Sequence, residues 1–373
     1  MRKIPNYQSD YRIVALSKSH RTTMLLCEKG LNVLAVYEDG AFINGEKIKD
    51  SNAILLSQFE KDQEYDVFEI TKEGNCIKLY DTTSLDNAII VTNACNSNCI
   101  MCPTPEIIRK DGKTLPYDAL ANIIRHFPSD ACHLTITGGE PFLMGRRLFD
   151  FFRILKEKFI DTEFLLLTNG RIFAVEDYVA LLKETLPNNT IIGIPFHGYN
   201  PQTHDMVTQS PGSFRQTFFG VKRLLKQGFR IEVRIVVSLL TINYLDEIAK
   251  MIIEEFPTVY SVKIMGLEML GNAAKNKDKV WVSYEVAFNK AQEAINNLIY
   301  AGIDTGLYNF PLCSVKKEYW GIYCKSISDN KVRFAEKCTE CTVRDACGGL
   351  FAGSSRMASK DVKPFIKNGN DEN

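Results

Sequence analysis

The sequence predicts an α/β protein in which a parallel β-sheet is covered by helices. Three observations lead to this prediction. The 373-residue chain is 45% apolar and 24% charged, as is usual for a folded globular protein. From about residue 86, short apolar runs alternate with segments of helical periodicity. Eight of the 11 cysteines fall into two groups, three between 95 and 102 and five between 313 and 347. A chain of this length is expected to contain two or three domains.

Residues 1–85 are predicted to form a small, mostly β domain. Short apolar runs at 23–26, 31–36 and 77–80 are separated by turn dipeptides such as Asp39-Gly40 and Asn44-Gly45. This segment contains no motif with recognisable chemistry. An exposed strand edge in it could bind a peptide by β-augmentation.

Residues 86–302 are predicted to carry a series of β-strands and α-helices in alternation. The apolar runs predict six strands, at 88–93, 132–137, 163–168, 190–196, 231–238 and 260–266. The helical periodicity predicts helices at 116–127, 145–159, 175–186, 213–227, 243–256 and 283–301. Such alternation indicates a parallel sheet, either an open doubly wound sheet or a barrel.

Several polar residues lie just beyond the predicted strand ends. They are Cys95, the segment Gly138-Gly139-Glu140, Asn169, His197 and Glu268. Ligands bind at the carboxyl ends of strands in both open sheets and barrels. We therefore expect these residues to converge on one mouth of the sheet.

The charge balance disfavours two classes of partner, and the start of the chain bears on where the protein is located. Forty-five basic and 45 acidic residues cancel, which disfavours a nucleic-acid substrate and an anionic membrane surface. The first residues lack the apolar segment of a signal peptide, and no window is apolar enough to span a membrane. We expect a cytoplasmic protein, in which clustered cysteines bind metal rather than form disulfides.

Three cysteines spaced C-x3-C-x2-C follow the first predicted strand. The thiolates of Cys95, Cys99 and Cys102 can hold three corners of an iron–sulfur cubane and leave one iron open. An open coordination position on a metal is a place for a substrate or cofactor. A structural zinc site remains an alternative, with His133 or a distant cysteine as the fourth ligand.

A glycine-rich turn follows the second predicted strand. In Gly138-Gly139-Glu140-Pro141 the glycines allow close approach to a ligand, and the carboxylate can receive an ammonium group. A tight turn with Glu140 as a helix cap is the alternative interpretation.

Together, C-x3-C-x2-C after the first strand and G-G-E-P after the second resemble the radical S-adenosylmethionine (SAM) superfamily. The resemblance implies a partial (β/α)6 barrel over residues 86–302. It implies a [4Fe–4S] cluster on Cys95, Cys99 and Cys102, with SAM bound to the open iron. Gly138, Gly139, Glu140 and Pro141 would bind the methionine amino end. Reduction would cleave SAM to a 5′-deoxyadenosyl radical that abstracts hydrogen from the substrate.

Four further residues are predicted to bind SAM through the same resemblance. Met101 stands where an aromatic residue often packs near the adenine, and a thioether can make a similar contact. Asn169 would contact the ribose, or else form an Asn-Gly turn. Arg234 lies in an apolar strand and needs a carboxylate, that of SAM or of an internal Asp or Glu. Met265 would line the adenine pocket, or else pack in the core.

Three residues are candidates for proton transfer on position alone. They are His197, Glu268 and Tyr308. A single histidine is more often a structural residue, so His197 has that alternative as well.

The segment 303–373 is predicted to be a small domain that depends on metal. Cys338, Cys341 and Cys347 are spaced C-x2-C-x5-C, and Cys313 or Cys324 can supply a fourth ligand. The spacing alone leaves zinc and an iron–sulfur cluster open. In a radical SAM protein it resembles the SPASM or twitch extension, which implies an auxiliary [4Fe–4S] cluster. No cysteine follows Cys347, so we expect one cluster, with Cys313 the preferred fourth ligand.

A narrower resemblance suggests the substrate. The segments C-N-S-N-C-I-M-C-P and R-D-A-C-G-G-L-F resemble the His-Xaa-Ser system maturases, bacterial radical SAM enzymes associated with small peptides. This resemblance implies side-chain crosslinking or a related C–H functionalisation of a ribosomally synthesised peptide. The implied partners are a precursor peptide, an electron donor such as flavodoxin or ferredoxin, and a partner maturase. A radical SAM enzyme acting on a nucleotide or other small molecule, and a non-catalytic zinc-binding interaction protein, are the alternatives.

Overall fold

The computed structural model describes residues 2–4, 7, 12–48 and 53–366 and confirms the α/β prediction. The chain divides into two compact units. The first comprises 1–92, 114–166 and 185–190, and the second comprises 93–113, 167–184 and 191–373. The division into domains at 1–85, 86–302 and 303–373 stays a prediction.

The N-terminal region forms a mostly β structure, as predicted. Its strands are β1 (Arg2–Lys3), β2 (Arg12–Ser17), β3 (Val33–Tyr37), β4 (Gly40–Ile43), β5 (Glu46–Lys47), β6 (Val67–Ile70) and β7 (Asn75–Tyr80). They pair in the order β1-β7-β6-β2-β3-β4-β5. The apolar run at 23–26, one of the runs that led to this prediction, lies in helix α1 (His20–Glu28), where the side chain of Ser19 accepts from the Thr22 N–H. A second short helix, α2, spans Ala53–Ser57.

The second sheet is parallel and contains seven strands rather than the six predicted. They are β8 (Ala88–Ile90), β9 (His133–Thr137), β10 (Glu163–Leu167), β11 (Thr190–Pro195), β12 (Arg230–Val236), β13 (Ser261–Met265) and β14 (Thr305–Tyr308). The strand order follows the chain order without a reversal. A doubly wound sheet reverses its order at a switch point, so this sheet is of the barrel type. The missed strand, β14, has only four residues and includes a glycine.

The six predicted helices are present close to their predicted bounds, as α4 (Tyr117–His126), α5 (Arg147–Lys158), α6 (Glu176–Thr185), α8 (Ser213–Lys226), α9 (Leu245–Glu255) and α12 (Tyr284–Tyr300). Further helices are α3 (Glu106–Asp111), α7 (Pro201–Thr208), α10 (Gly271–Lys275), α11 (Lys277–Val280) and α13 (Ser355–Ala358). None of the helices in the described part of the chain is long and apolar enough to cross a membrane.

The tail, by which we mean the described residues 309–366, contains little regular structure. Strand β15 (Val332–Arg333) pairs antiparallel with β16 (Leu350–Phe351), and the intervening segments are short 3-10 turns. Ser354 joins the tail to the end of β13, since its hydroxyl donates to the Leu267 carbonyl and accepts from the Met269 N–H. Regular hydrogen bonding therefore contributes little to the shape of this region.

Candidate active site

The three-cysteine motif lies on a loop after β8 that pairs with the end of α7. The Asn98 N–H donates to the Thr208 carbonyl at 3.0 Å, and the Ile100 N–H donates to the Val207 carbonyl at 2.9 Å. We call residues 95–102 the cluster loop. Its backbone thus has partners more than 100 positions away in the sequence.

Side chains and backbone at the start of α10 hold the carbonyl groups of the cluster loop. Asn272 donates from Nδ2 to the Cys99 carbonyl at 3.0 Å and from its backbone N–H to the Cys102 carbonyl at 2.9 Å. One turn later, Asn276 donates from Nδ2 to the Ile100 carbonyl at 3.2 Å. The backbone of the loop is therefore fixed at two of its predicted ligands, Cys99 and Cys102, and at Ile100 between them.

Gly271 permits this close approach. Its φ of +56° lies in the left-handed region, and a Cβ atom there would lie 2.4 Å from the Pro103 carbonyl oxygen. Any larger residue would move α10 away from the cluster loop.

The amino end of the cluster loop is held by two polar residues after β10. Arg171 donates from Nη1 to the Asn96 carbonyl at 2.7 Å and to Ser97 Oγ at 3.1 Å. Asn169 donates from Nδ2 to Asn96 Oδ1 at 2.7 Å and precedes Gly170, whose φ is +72°. The predicted Asn-Gly turn is therefore present, and a ribose contact by Asn169 stays a prediction.

Sequence reasoning missed most residues that hold this loop. Arg109, Arg171, Asn272 and Asn276 belong to no motif, and their partners in the loop are 11 to 176 positions away. Polar residues of this kind give no local signal, because only the tertiary fold brings them to the loop.

The chemistry of the loop fits a cluster held by thiolates. Burial raises the pKa of the Cys99 thiol to about 12, and the neighbouring Cys102 and Cys95 thiols act in the same direction. Bound iron would offset the repulsion between the three thiolates. Among the described residues, no group of three or more His, Cys, Asp and Glu side chains has the geometry to hold a metal ion. Support for a cluster comes from the donor type and from the fixed loop.

The G-G-E-P segment forms a tight turn in the first unit. A Cβ atom on Gly138 would lie 2.4 Å from the Thr92 carbonyl oxygen, and the Gly139 N–H donates to that oxygen at 2.8 Å. The buried carboxylate of Glu140 accepts from the Phe142 N–H at 3.2 Å, at the start of the 3-10 turn that contains Pro141. The capping alternative is thus observed, and binding of SAM by this turn stays a prediction.

Arg234 and Lys263 form ion pairs on one face of the parallel sheet. Arg234 Nε lies 2.7 Å from Glu232 Oε1, two residues away on β12. This is the internal carboxylate that the sequence left open, and a contact of Arg234 with SAM stays a prediction. On the next strand, Lys263 Nζ lies 2.9 Å from Asp304 Oδ2.

Glycines give these two long side chains room. A Cβ atom on Gly193 would lie 3.1 Å from Arg234 Nε, and a Cβ atom on Gly306 would lie 2.9 Å from Lys263 Cδ. Tyr308 follows on β14, with the Lys263 ammonium 5.8 Å from its ring centroid. Burial raises the pKa of Tyr308 to about 12, so this phenol stays protonated at neutral pH.

The two predicted methionines differ in their surroundings. Met101 is buried in an apolar cluster with Val207, Leu267 and Met269. Met265 is partly buried and pairs in register with Tyr308. Adenine contacts of both methionines stay predictions.

His197 and Glu268 occupy different environments. His197 is buried, and its backbone N–H donates to the ring nitrogen Nδ1 of His204 at 3.2 Å. Burial lowers the pKa of His197 to about 3, so the ring is neutral at pH 7. Glu268 forms an ion pair with Lys331 of the tail, in which Lys331 Nζ lies 3.4 Å from Glu268 Oε1. Proton transfer by either residue stays a prediction.

A cavity in the tail brings four cysteines together. Its lining includes Cys313, Cys338, Cys341 and Cys347. The Sγ atom of Cys347 accepts from the Leu312 N–H at 3.2 Å and from the Gly349 N–H at 3.3 Å. Such N–H groups stabilise thiolates that hold iron–sulfur clusters.

Cys324 lies outside this cavity. Its N–H donates to the Leu307 carbonyl of β14 at 3.0 Å, and burial raises the pKa of its thiol. The lining thus favours Cys313 over Cys324 as the fourth member of the group.

Comparisons with known proteins agree with this description. Residues 89–252 match the family described as the radical SAM superfamily. The chain contains a radical SAM domain. A search of curated proteins finds no match for the sequence.

Solved structures resemble part of this chain at low sequence identity. SuiB of Streptococcus suis, bound to its precursor peptide SuiA, is 13% identical with a TM-score of 0.50, over 61% of this chain and 49% of SuiB. The protein anSMEcpe with bound AdoMet is 15% identical with a TM-score of 0.45, over 60% of each chain. The match thus covers about half to three fifths of these relatives, and at such identity the likeness to SuiB establishes the fold alone.

Proposed function

We propose that this chain is a radical SAM enzyme that modifies a ribosomally synthesised peptide. One observation carries the proposal: the three thiols of the cluster loop lie in a radical SAM domain, on a backbone held by hydrogen bonds from distant residues. A loop of that kind keeps its shape for a cofactor rather than for packing.

The proposed cluster ligands are Cys95, Cys99 and Cys102, and SAM would occupy the open iron. When bound, a [4Fe–4S] cluster supplies the electron that cleaves SAM to a 5′-deoxyadenosyl radical. The G-G-E-P turn would bind the methionine amino group through Glu140. Arg234 and Met265 lie on one face of the sheet, where Arg234 would bind the SAM carboxylate and Met265 would contact the adenine. Asn169 would contact the ribose, and Met101 would pack near the adenine.

The tail is proposed to hold one auxiliary [4Fe–4S] cluster. Four cysteines on one cavity and two N–H donors to Cys347 support this assignment. A cluster with four protein thiolates has no open iron. It would accept an electron from the substrate radical or help to hold the substrate.

The peptide substrate is proposed on three grounds. The first is that two segments resemble the His-Xaa-Ser system maturases. The second is that the chain shares its fold with SuiB, which was solved with its precursor peptide SuiA. The third is that the balanced charge disfavours an RNA substrate. The expected product is a side-chain crosslink or a related C–H functionalisation. The expected partners are the precursor peptide, a partner maturase and a flavodoxin or ferredoxin in the reducing cytoplasm.

SAM cleavage tests the enzymatic part of the proposal. The reconstituted protein is incubated anaerobically with dithionite and SAM, and 5′-deoxyadenosine is quantified by mass spectrometry. We expect turnover in wild type, none in Cys99→Ala, and wild-type turnover in Cys132→Ala, which removes an exposed thiol outside both groups. No 5′-deoxyadenosine from a wild-type protein that contains iron would contradict the proposal.

Coexpression tests the peptide. Each short peptide that the genes flanking this one encode is produced with wild type or with Cys99→Ala, and its mass is compared. A loss of hydrogen that requires the intact cluster loop supports a crosslink. An unchanged peptide, together with 5′-deoxyadenosine formation that a nucleotide stimulates, would favour the small-molecule alternative.

A further inference from the structure

Arg109 is a buried cation that packs against the cluster loop. It lies in α3, and only 8% of its surface is exposed. Nη1 donates to the Ser97 carbonyl at 3.2 Å, Nη2 donates to Asn98 Oδ1 at 2.8 Å, and Nε donates to the Thr104 carbonyl at 3.3 Å. The guanidinium therefore contacts the chain before Cys99, at Ser97 and Asn98, and just after Cys102, at Thr104.

The three acceptors of Arg109 are all neutral. In the described part of the chain, no carboxylate lies within ion-pair distance of this guanidinium. Arg234, by contrast, has Glu232 beside it. Burying a charge without an opposite charge costs several kcal/mol, so a compensating anion is expected close to Arg109. Within the cluster loop, the only candidates are the thiolates of the cysteine motif, because residues 95–102 contain no Asp or Glu.

Asn98 links Arg109 to α10. Its Oδ1 accepts from Arg109 Nη2 and also from Asn272 Nδ2 at 3.1 Å, and the same Asn272 group donates to the Cys99 carbonyl. One amide oxygen is thus shared by two donors from different parts of the chain. Movement of Arg109 would be transmitted to the backbone at Cys99.

We propose that Arg109 is a positioning residue that supplies the buried counter-charge of the cluster and so favours its reduced state. The inference rests on the proposed function, because it requires a cluster on Cys95, Cys99 and Cys102. Each added electron makes the cluster more negative. A fixed positive charge nearby therefore raises the reduction potential, as hydrogen bonds and charge near a cluster do in general.

The test is a potentiometric titration followed by EPR in the full-length protein. The signal of the first cluster is the one missing from a Cys95→Ala, Cys99→Ala, Cys102→Ala variant. The variants are Arg109→Gln, which keeps an N–H donor without the charge, and Arg109→Lys, which keeps the charge. Lys110→Gln is the matched control, because Lys110 is the adjacent cation but is exposed and paired with Glu106.

We expect Arg109→Gln to lower the one-electron equilibrium constant for reduction about tenfold, equivalent to ~59 mV. Arg109→Lys and Lys110→Gln should stay within about twofold of wild type, because the first keeps the charge and solvent screens the second. If Arg109→Gln binds no cluster, a wild-type potential in Arg109→Lys still supports the inference.

Three results would overturn it: an unchanged potential in Arg109→Gln, an equal shift in Lys110→Gln, or loss of the cluster from Arg109→Gln and Arg109→Lys alike. These results leave the proposed function intact. Absence of a cluster from wild type would instead overturn the proposed function, and the inference with it.

Discussion

The cluster loop and the tail both present cysteines for a metal centre, but they are held in different ways. In the cluster loop, the carbonyls of Cys99 and Cys102 accept hydrogen bonds from Asn272, about 170 positions away. In the tail, the N–H groups of Cys338 and Cys347 donate to carbonyls three residues earlier. Distant partners fix the first group, whereas local turns hold the second.

This difference indicates which site depends on its metal. The cluster loop is fixed by α7, α10 and the residues after β10, so its shape is part of the radical SAM domain. The tail has two-residue strands, short 3-10 turns and one four-residue helix, and four of its five cysteines line a common cavity. We therefore expect metal binding to organise the tail and only to fill the cluster loop.

Metal removal should separate the two regions most strongly. Stripping iron with a chelator should make the tail at least about tenfold more sensitive to limited proteolysis, because its regular structure is limited to very short elements. The segment 86–302 should stay resistant. Peptide mapping by mass spectrometry gives the cleavage rates, and equal rates in both segments would break the comparison.

Substitution of single cysteines sharpens the assignment of the tail. Cys313→Ala should reduce the iron content from about eight to about four atoms per chain, because it removes one of four ligands. Cys324→Ala is the matched control, since Cys324 lies outside the cavity, and it should keep all of its iron. The iron content is measured after anaerobic reconstitution. The reverse result would make Cys324 the ligand.

Substitution of Gly271 tests the fixed cluster loop. Gly271→Ala should lower the free energy of unfolding by about 3 kcal/mol, from the left-handed φ and from contact with Pro103. Gly302→Ala should cost about 1 kcal/mol, because Gly302 has a φ of +77° but open space around it. Urea denaturation gives both values. Equal effects would mean that the approach of α10 to the loop is not tight.

Acid should destabilise the region around α7, where two buried histidines lie. All five histidines precede residue 205, and burial lowers the pKa of His197 to about 3 and that of His204 to about 4. The unfolded state then binds more protons below about pH 6.5, so stability falls as the pH falls from 6.5 towards 4. His204 lies in α7, which pairs with the cluster loop.

The variant His197→Asn isolates one of these two groups. Between pH 7 and pH 5 it should lose about 2 kcal/mol less unfolding free energy than wild type. Urea denaturation at the two pH values measures the difference. An identical pH dependence in the variant would show that His197 is not held neutral by burial.

The fold was largely predictable because apolar periodicity is a local property. Runs such as Ile231, Val233 and Ile235 alternate with polar residues and give the strand directly. Strand β14 was missed because four residues carry too little pattern. The run at 23–26 forms a helix rather than a strand, and its sequence did not show this, because a short apolar stretch is compatible with either type of structure.

The candidate site was predictable only in its motifs. The cysteines and the G-G-E-P turn are short and contiguous, so the sequence displays them. Arg109, Asn272 and Gly271 act on the loop from elsewhere in the chain, and single polar residues or glycines carry no such pattern. The sequence left two partners open for Arg234, the carboxylate of SAM and an internal Asp or Glu. A buried strand position shows that a charge needs a counter-charge, but it does not show which group supplies it.

The central claim is that two cysteine groups hold two iron–sulfur clusters, one at each group. The most direct test is to measure iron and acid-labile sulfide per chain after anaerobic reconstitution, in wild type and in the Cys95→Ala, Cys99→Ala, Cys102→Ala variant. About eight irons in wild type and about four in the variant are predicted. Four irons that disappear entirely in the variant would remove the auxiliary cluster, and a protein that contains zinc and no iron would contradict the radical SAM account.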